Sequence, residues 1–143
     1  MNVLDEPLFT RGSRSGFRQF AAYWLPVLGY ISLIFFFSSL HQPPDPLKFK
    51  HADKLYHLGE YGMFSLLVGR AFRFSVSPYS KLGAAVMTVA MVMMIAASDE
   101  YYQSFVPGRD SSIYDWMADS TAAVLACIVL WQFWSRSRKG KAS

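Results

Sequence analysis

From Phe20 to Leu40 the chain runs 21 residues without an Asp, Glu, Lys or Arg. At about 1.5 Å of rise per residue, a helix of that length crosses a hydrocarbon layer of roughly 30 Å. A helix packed into a soluble core seldom stays apolar all the way round for so long. Three further segments follow the same rule less strictly. Leu55 to Phe72 is interrupted by His57, Glu60 and Arg70, Leu82 to Ser98 carries no charge, and Met117 to Trp134 has one acid, Asp119. The pattern predicts an all-α membrane protein, a bundle of four transmembrane helices. The second helix is the least apolar of them, because a Glu and a His are costly in lipid.

The segments between the apolar runs read as links. His41-Gln-Pro-Pro-Asp-Pro46 resists helix, since proline disfavours the α conformation in the residue before it. Ser75 to Ser80 is short and turn-like, and Pro107-Gly108 is the pair expected at the centre of a type II turn. Pro26 removes one hydrogen bond inside the first helix and favours a kink. Trp24 and Trp134 fall near helix ends, where indoles favour the membrane interface.

Charge gives the expected orientation. Ten of the 14 basic residues flank one side of the four helices: Arg11, Arg14, Arg18, Arg70, Arg73, Lys81 and the tail from Arg136 to Lys141. Lys48, Lys50, Lys54 and Arg109 fall on the other. Positive residues stay cytoplasmic, so both termini are expected inside. The net charge of +4 is therefore a topology signal and not a nucleic-acid footprint. The first apolar run is too long for a cleaved signal peptide and lacks a small-x-small cleavage site, so it reads as an anchor. With 143 residues, 52% of them hydrophobic, the chain has room for one domain. Residues 1–19 are expected as a cytoplasmic flank, 20–135 as the membrane domain and 136–143 as a basic cytoplasmic tail, with the first ten residues and the tail disordered. The single cysteine, Cys127, excludes an intramolecular disulfide and reads as a lipid-facing or helix-packing residue.

Polar residues recur at helical spacing near three helix ends on the outer side. Lys54, His57, Glu60 and Tyr61 occupy an arc of about 120° on the second helix. Asp99, Glu100 and Gln103 lie within about 100° at the end of the third. Asp115 and Asp119 open a stripe that Ala122 and Ala126 continue, a surface that lets another helix approach closely. Arg109 sits in the loop between the last two groups. Intramembrane polar groups face inward or pair with one another, so these faces are expected to converge on one outward-opening site. Each residue also has a structural reading. Ser112-Ile-Tyr-Asp115 has the spacing of a capping box, and Lys54 has the reach to snorkel to headgroups. His57 and Glu60 suit a bond between helices, and Arg109 suits a loop anchor paired with Asp99 or Asp115.

Three ordered blocks carry a family resemblance: Asp53-Lys54-x-x-His57-x-x-x-Tyr61, Asp99-Glu100-x-x-Gln103-x-Phe-x-Pro107-Gly108-Arg109, and Asp115-Trp-x-x-Asp119. Together they resemble the VanZ-like family over about residues 20 to 135. The family's last block reads Asp-x-x-x-Asn with a glycine three residues on; here Asp119 and Ala122 stand at those positions, which adds an acid to the cluster. The resemblance implies a four-helix bacterial membrane protein of the cell envelope, whose namesake is linked to resistance to the lipoglycopeptide teicoplanin.

Two functions suit the cluster. In the first, Lys54 and Arg109 hold the phosphate or carboxylate of a lipid-linked or wall-derived ligand, with Tyr61, Asp99, Gln103 and Asp119 lining the site. In the second, the chain is a membrane-embedded hydrolase or transferase, with His57 as general acid or base and Glu100 or Asp115 as its partner. Against the enzyme, Ser98, Ser104, Ser111 and Thr121 sit in no nucleophile motif. Membrane lipids are the expected surroundings, and no cofactor motif is present. One intramembrane His is poor evidence for zinc, so no metal is assigned; a hard divalent cation on Asp99, Glu100 and Asp115 is a variant of the enzyme reading.

Overall fold

The structure is a computed structural model that describes residues 8–41, 52–75, 79–109 and 111–139. It contains four helices: α1 (Leu8–Ser38), α2 (Ala52–Phe74), α3 (Lys81–Gln103) and α4 (Ile113–Lys139). Lys48, Lys50 and most of the proline-rich link fall outside the described residues. Helix begins within the expected disordered flank, at Leu8, and runs past Ser135 to Lys139, because helical hydrogen bonding does not depend on apolar side chains. Helix α1 passes through Pro26 without interruption.

The helices run up, down, up and down. Ser38 at the end of α1 meets Gln103 at the end of α3, while Lys54 and His57 at the start of α2 meet Asp115 and Asp119 at the start of α4. Among the described residues α2 and α3 each pack against the other three helices, whereas α1 and α4 do not meet. Two ends result: a polar end, holding Ser38, Lys54, Gln103 and Asp115, and a basic end, holding Arg70, Arg73 and Lys81.

Burial follows this arrangement. Tyr61, Phe64, Val68 and Ala71 of α2 are fully buried, with Val27 and Ile34 of α1, Val92 and Ala96 of α3 and Ala122 and Ala123 of α4 around them. Phe17, Leu25, Leu28 and Phe36 of α1 and Leu125, Val129 and Phe133 of α4 are exposed, as on surfaces that face lipid. Close packing in the basic half depends on Gly69, where an added Cβ meets Leu130 Cδ1 at 2.5 Å and Thr88 Oγ1 at 3.3 Å.

Among the described residues three helices are long and apolar enough to cross a membrane: Gly16–Ser38, Lys81–Gln103 and Ile113–Ser135. Helix α2 is not among them, in keeping with the cost of its His57 and Glu60. Trp134 lies near the end of an apolar helix, as expected, and is buried, edge-on to Phe74 at 6.3 Å. Trp24 packs edge-on against Phe72 at 5.1 Å. Aromatic rings at the basic end carry the cations, with Arg70 over Tyr23 at 4.7 Å and Lys81 over Trp131 at 5.8 Å. Cys127 is buried, its Sγ 3.7 Å from the Ala85 carbonyl oxygen, and so belongs to the α3–α4 packing.

Candidate functional site

Helical spacing puts each polar group where another can reach it. On α2, Lys54 pairs with Asp115, His57 Nδ1 lies 3.1 Å from Asp119 Oδ1, and the Tyr61 hydroxyl donates to Asp99 Oδ2 at 3.2 Å. The first two pairs share one register, since α2 and α4 run parallel. The third crosses to α3, which runs the other way. Gln103 completes the layer by donating from Nε2 to Asp99 Oδ2 at 3.0 Å and to Ser38 Oγ at 3.2 Å. Asp99, Glu100, Gln103, Asp115 and Asp119 are all buried, and His57 is largely so.

The loop between α3 and α4 is built as its sequence predicts. Gly108 adopts a φ of 81°, open to glycine at little cost, and the Arg109 N–H donates to the Val106 carbonyl at 3.1 Å. This closed turn lies against the end of α1, with the His41 carbonyl oxygen 3.4 Å from where a Cβ on Gly108 would stand.

The start of α4 corrects the capping-box reading. Ser112 Oγ accepts from the Tyr114 N–H at 3.2 Å, but the Ser112 N–H donates at 2.7 Å to Glu100 Oε2 on α3 rather than to Asp115. Glu100 thereby fastens α4 to α3, and Asp115 is left for Lys54. Arg109 makes no ion pair with Asp99 or Asp115 among the described residues: Asp99 Oδ2 accepts from Tyr61 and Gln103 while its Oδ1 finds no described partner, and Asp115 pairs with Lys54. The Arg109 Nε is buried and finds no hydrogen-bond partner among the described residues. Glu60 sits within electrostatic reach of His57, Asp99, Asp119 and Arg109, and its backbone carbonyl accepts from the Tyr30 hydroxyl at 3.2 Å.

Beside this layer a recess of about 370 Å³ opens between α3 and α4, lined by Ala97, Glu100, Ser111, Ser112, Ile113 and Trp116. Trp116 also ties its indole N–H to the Met93 carbonyl at 3.2 Å. Trp116 and Ser112 were not singled out in the sequence as site residues; their signal was the family block and the cap position.

A model of the VanZ/LLP1 family matches residues 8–135. The chain belongs to the VanZ/LLP1 family. No curated protein and no solved structure matches it. The residues that this VanZ-like chain gathers at its polar end come from all three blocks that carry the resemblance. The α4 position where the family pattern has an amide holds Asp119, which here faces His57. An aspartate offers only acceptor oxygens when ionised, so the pair relies on the imidazole for its hydrogen.

Proposed function

We propose that this VanZ-like chain is a four-span protein of the bacterial cytoplasmic membrane, with both termini in the cytoplasm. In this reading its polar end faces outward and binds an anionic envelope ligand, lipid-linked or wall-derived. The basic asymmetry of the sequence supports the orientation. Helix α2 counts as a span because His57 and Tyr61 pair with Asp119 and Asp99 of the neighbouring helices, so lipid need not solvate them. The observation that carries the binding reading is Arg109, fixed by the Pro107-Gly108 turn, with a buried Nε that no described residue satisfies. A guanidinium with an unpartnered donor on a fixed turn suits a bidentate phosphate or carboxylate. Lys54 stands at the same end as a second positive charge, and the neighbouring recess has room for a headgroup-sized group.

Arg109→Lys tests this. Lysine keeps the charge and loses the planar fork. The expected outcome is normal membrane abundance with loss of the envelope phenotype, read as lipoglycopeptide susceptibility on the same cells. Parallel loss of abundance and phenotype returns Arg109 to a structural anchor and removes the reading.

A second reading is favoured by the His57–Asp119 pair. A carboxylate that orients an imidazole is the usual support of a general acid or base. It casts the chain as a hydrolase or transferase on a lipid-linked substrate, with Asp119 rather than Glu100 or Asp115 as the partner of His57. Turnover of such a substrate by purified protein, abolished in His57→Gln, distinguishes it from binding alone.

A further inference from the structure

Among the described residues the polar end contains more buried carboxylates, Asp99, Glu100, Asp115 and Asp119, than the cations Lys54 and Arg109 match. Lys54 is engaged by Asp115, while Glu100 and Asp119, 7% and 0% exposed, each keep one buried oxygen without a hydrogen-bond partner among the described residues. These oxygens, Glu100 Oε1 and Asp119 Oδ2, belong to two of three side chains drawn from three helices. His57, Glu100 and Asp119 bring one ligand atom each to within 4.8 Å of the others.

We propose that His57, Glu100 and Asp119 form a binding site for a divalent metal ion of the Mn²⁺ type. Three features support it. The spacing suits an ion, since ligands at about 2.2 Å from a metal stand about 3.1 Å apart when adjacent and about 4.4 Å when opposite. The charge suits it too: two carboxylates and a neutral imidazole are cancelled by one divalent ion, whereas buried and unmatched they are unfavourable. The donor set selects the class. One imidazole favours a transition metal over Mg²⁺ or Ca²⁺, and two carboxylates without a thiolate are ligands that suit Mn²⁺. The cation variant foreseen from the sequence used Asp99, Glu100 and Asp115. The structure commits Asp115 to Lys54; Asp99, whose Oδ2 accepts from Tyr61 and Gln103 and whose Oδ1 is also buried without a described partner, lies outside the group of three, so only Glu100 of that set belongs to it.

The other oxygen of Glu100 is held by the Ser112 N–H, which fixes the carboxylate at the mouth of the recess. A bound ion adds positive charge there, which lets an acid-rich site accept an anion. With His57 ligated, its nitrogen is not free as a general base, so the site and the enzyme reading above exclude each other at that residue. The proposal does not rest on Arg109.

The full chain, purified in detergent with chelator and then freed of it, is titrated with Mn²⁺ alone and followed by the electron paramagnetic resonance of the free ion. One equivalent bound per chain is expected, with nitrogen modulation from a coordinated imidazole in the pulsed spectrum. His57→Gln should abolish that modulation, and Glu100→Gln and Asp119→Asn should each weaken binding tenfold or more. Asp115→Asn should leave it within twofold. Monodisperse elution and unchanged helical circular dichroism establish that the variants fold; if one does not accumulate, the nitrogen signal of the unaltered chain decides. No saturable Mn²⁺ binding, or binding without a nitrogen signal, overturns the site. So does an Asp115→Asn loss as large as that of Asp119→Asn. Stoichiometric zinc that Mn²⁺ does not displace overturns the choice of ion.

Discussion

Helices α1 and α2 are opposites. Helix α1 has the longest uncharged run in the chain and buries little of itself, presenting Phe17, Leu25, Leu28 and Phe36 outward. Helix α2 carries His57, Glu60 and Arg70 and is not among the helices apolar enough to cross a membrane, yet it touches every other helix and holds Tyr61, Phe64 and Val68 fully buried. In a membrane, apolarity measures contact with lipid rather than depth in the protein. The lipid-facing helix must be apolar because nothing else solvates it. The central helix can be polar because its neighbours do. The least hydrophobic helix is therefore the one on which the site is built.

The largest effect expected from this comparison is topological. If α2 spans as α1 does, the two ends of the chain lie on the same side. A periplasmic reporter fused after Ser143 should be inactive, and one inserted near Pro44 active. An active reporter at the C-terminus, with Pro44 also active, leaves an odd number of crossings and removes α2 from the spans. The contrast is all or none, so expression differences cannot imitate it.

Next in size is the core. Phe64→Ala and Phe36→Ala delete the same atoms from α2 and α1. Both side chains stay in an apolar medium when the helices separate within the bilayer, so transfer from water largely cancels and the cavity remains. At about 24 cal/mol per Å³, a cavity of roughly 100 Å³ costs about 2 kcal/mol. Phe64, fully buried, should show that loss in thermal unfolding of the detergent-solubilised protein; Phe36, 58% exposed, should stay within about 0.5 kcal/mol. Equal losses would mean that α1 is also enclosed, for example by a second copy of the chain.

How much of this was legible beforehand divides along physical lines. The run from Phe20 to Leu40 announced α1, and Pro107-Gly108 announced its turn, because both are local. The arcs on α2, α3 and α4 gave the direction of each polar side chain, since 100° per residue fixes azimuth. They did not give height along the bundle, which depends on how helices dock. The pairing of His57 with Asp119 was therefore not legible, and neither was the choice between the readings of Arg109. The Ser112 cap was half legible: its own oxygen is local, but its N–H is met by Glu100 from another helix. Gly69 gave no signal, because its role lies in Leu130 and Thr88, distant in sequence.

Gly69 also gives the finest test of the comparison, against Gly29 of α1. Alanine favours helix over glycine by about 1 kcal/mol at either site, so any difference between the two substitutions is tertiary. At Gly29 nothing lies within 4 Å of the new Cβ, and Gly29→Ala should be neutral or mildly stabilising. At Gly69 the methyl overlaps Leu130 Cδ1 at 2.5 Å and presses on Thr88 Oγ1 at 3.3 Å. The leucine tip can swing aside, whereas Thr88 is held by its own bond to the Ala84 carbonyl at 2.6 Å. The strain therefore falls on the α2–α3 spacing. Overpacking of this kind costs about 1–3 kcal/mol, which the helix gain of about 1 kcal/mol only partly offsets, leaving Gly69→Ala about 1 kcal/mol less stable than the parent. Pairing it with Leu130→Ala separates the causes, because the shortened leucine relieves one contact and leaves the other. Recovery in the double variant assigns the cost to α4. Persistence assigns it to Thr88 and α3. Equal stability of Gly69→Ala and Gly29→Ala removes the close approach of α2 to its neighbours, and with it the reason that a polar helix can occupy the centre.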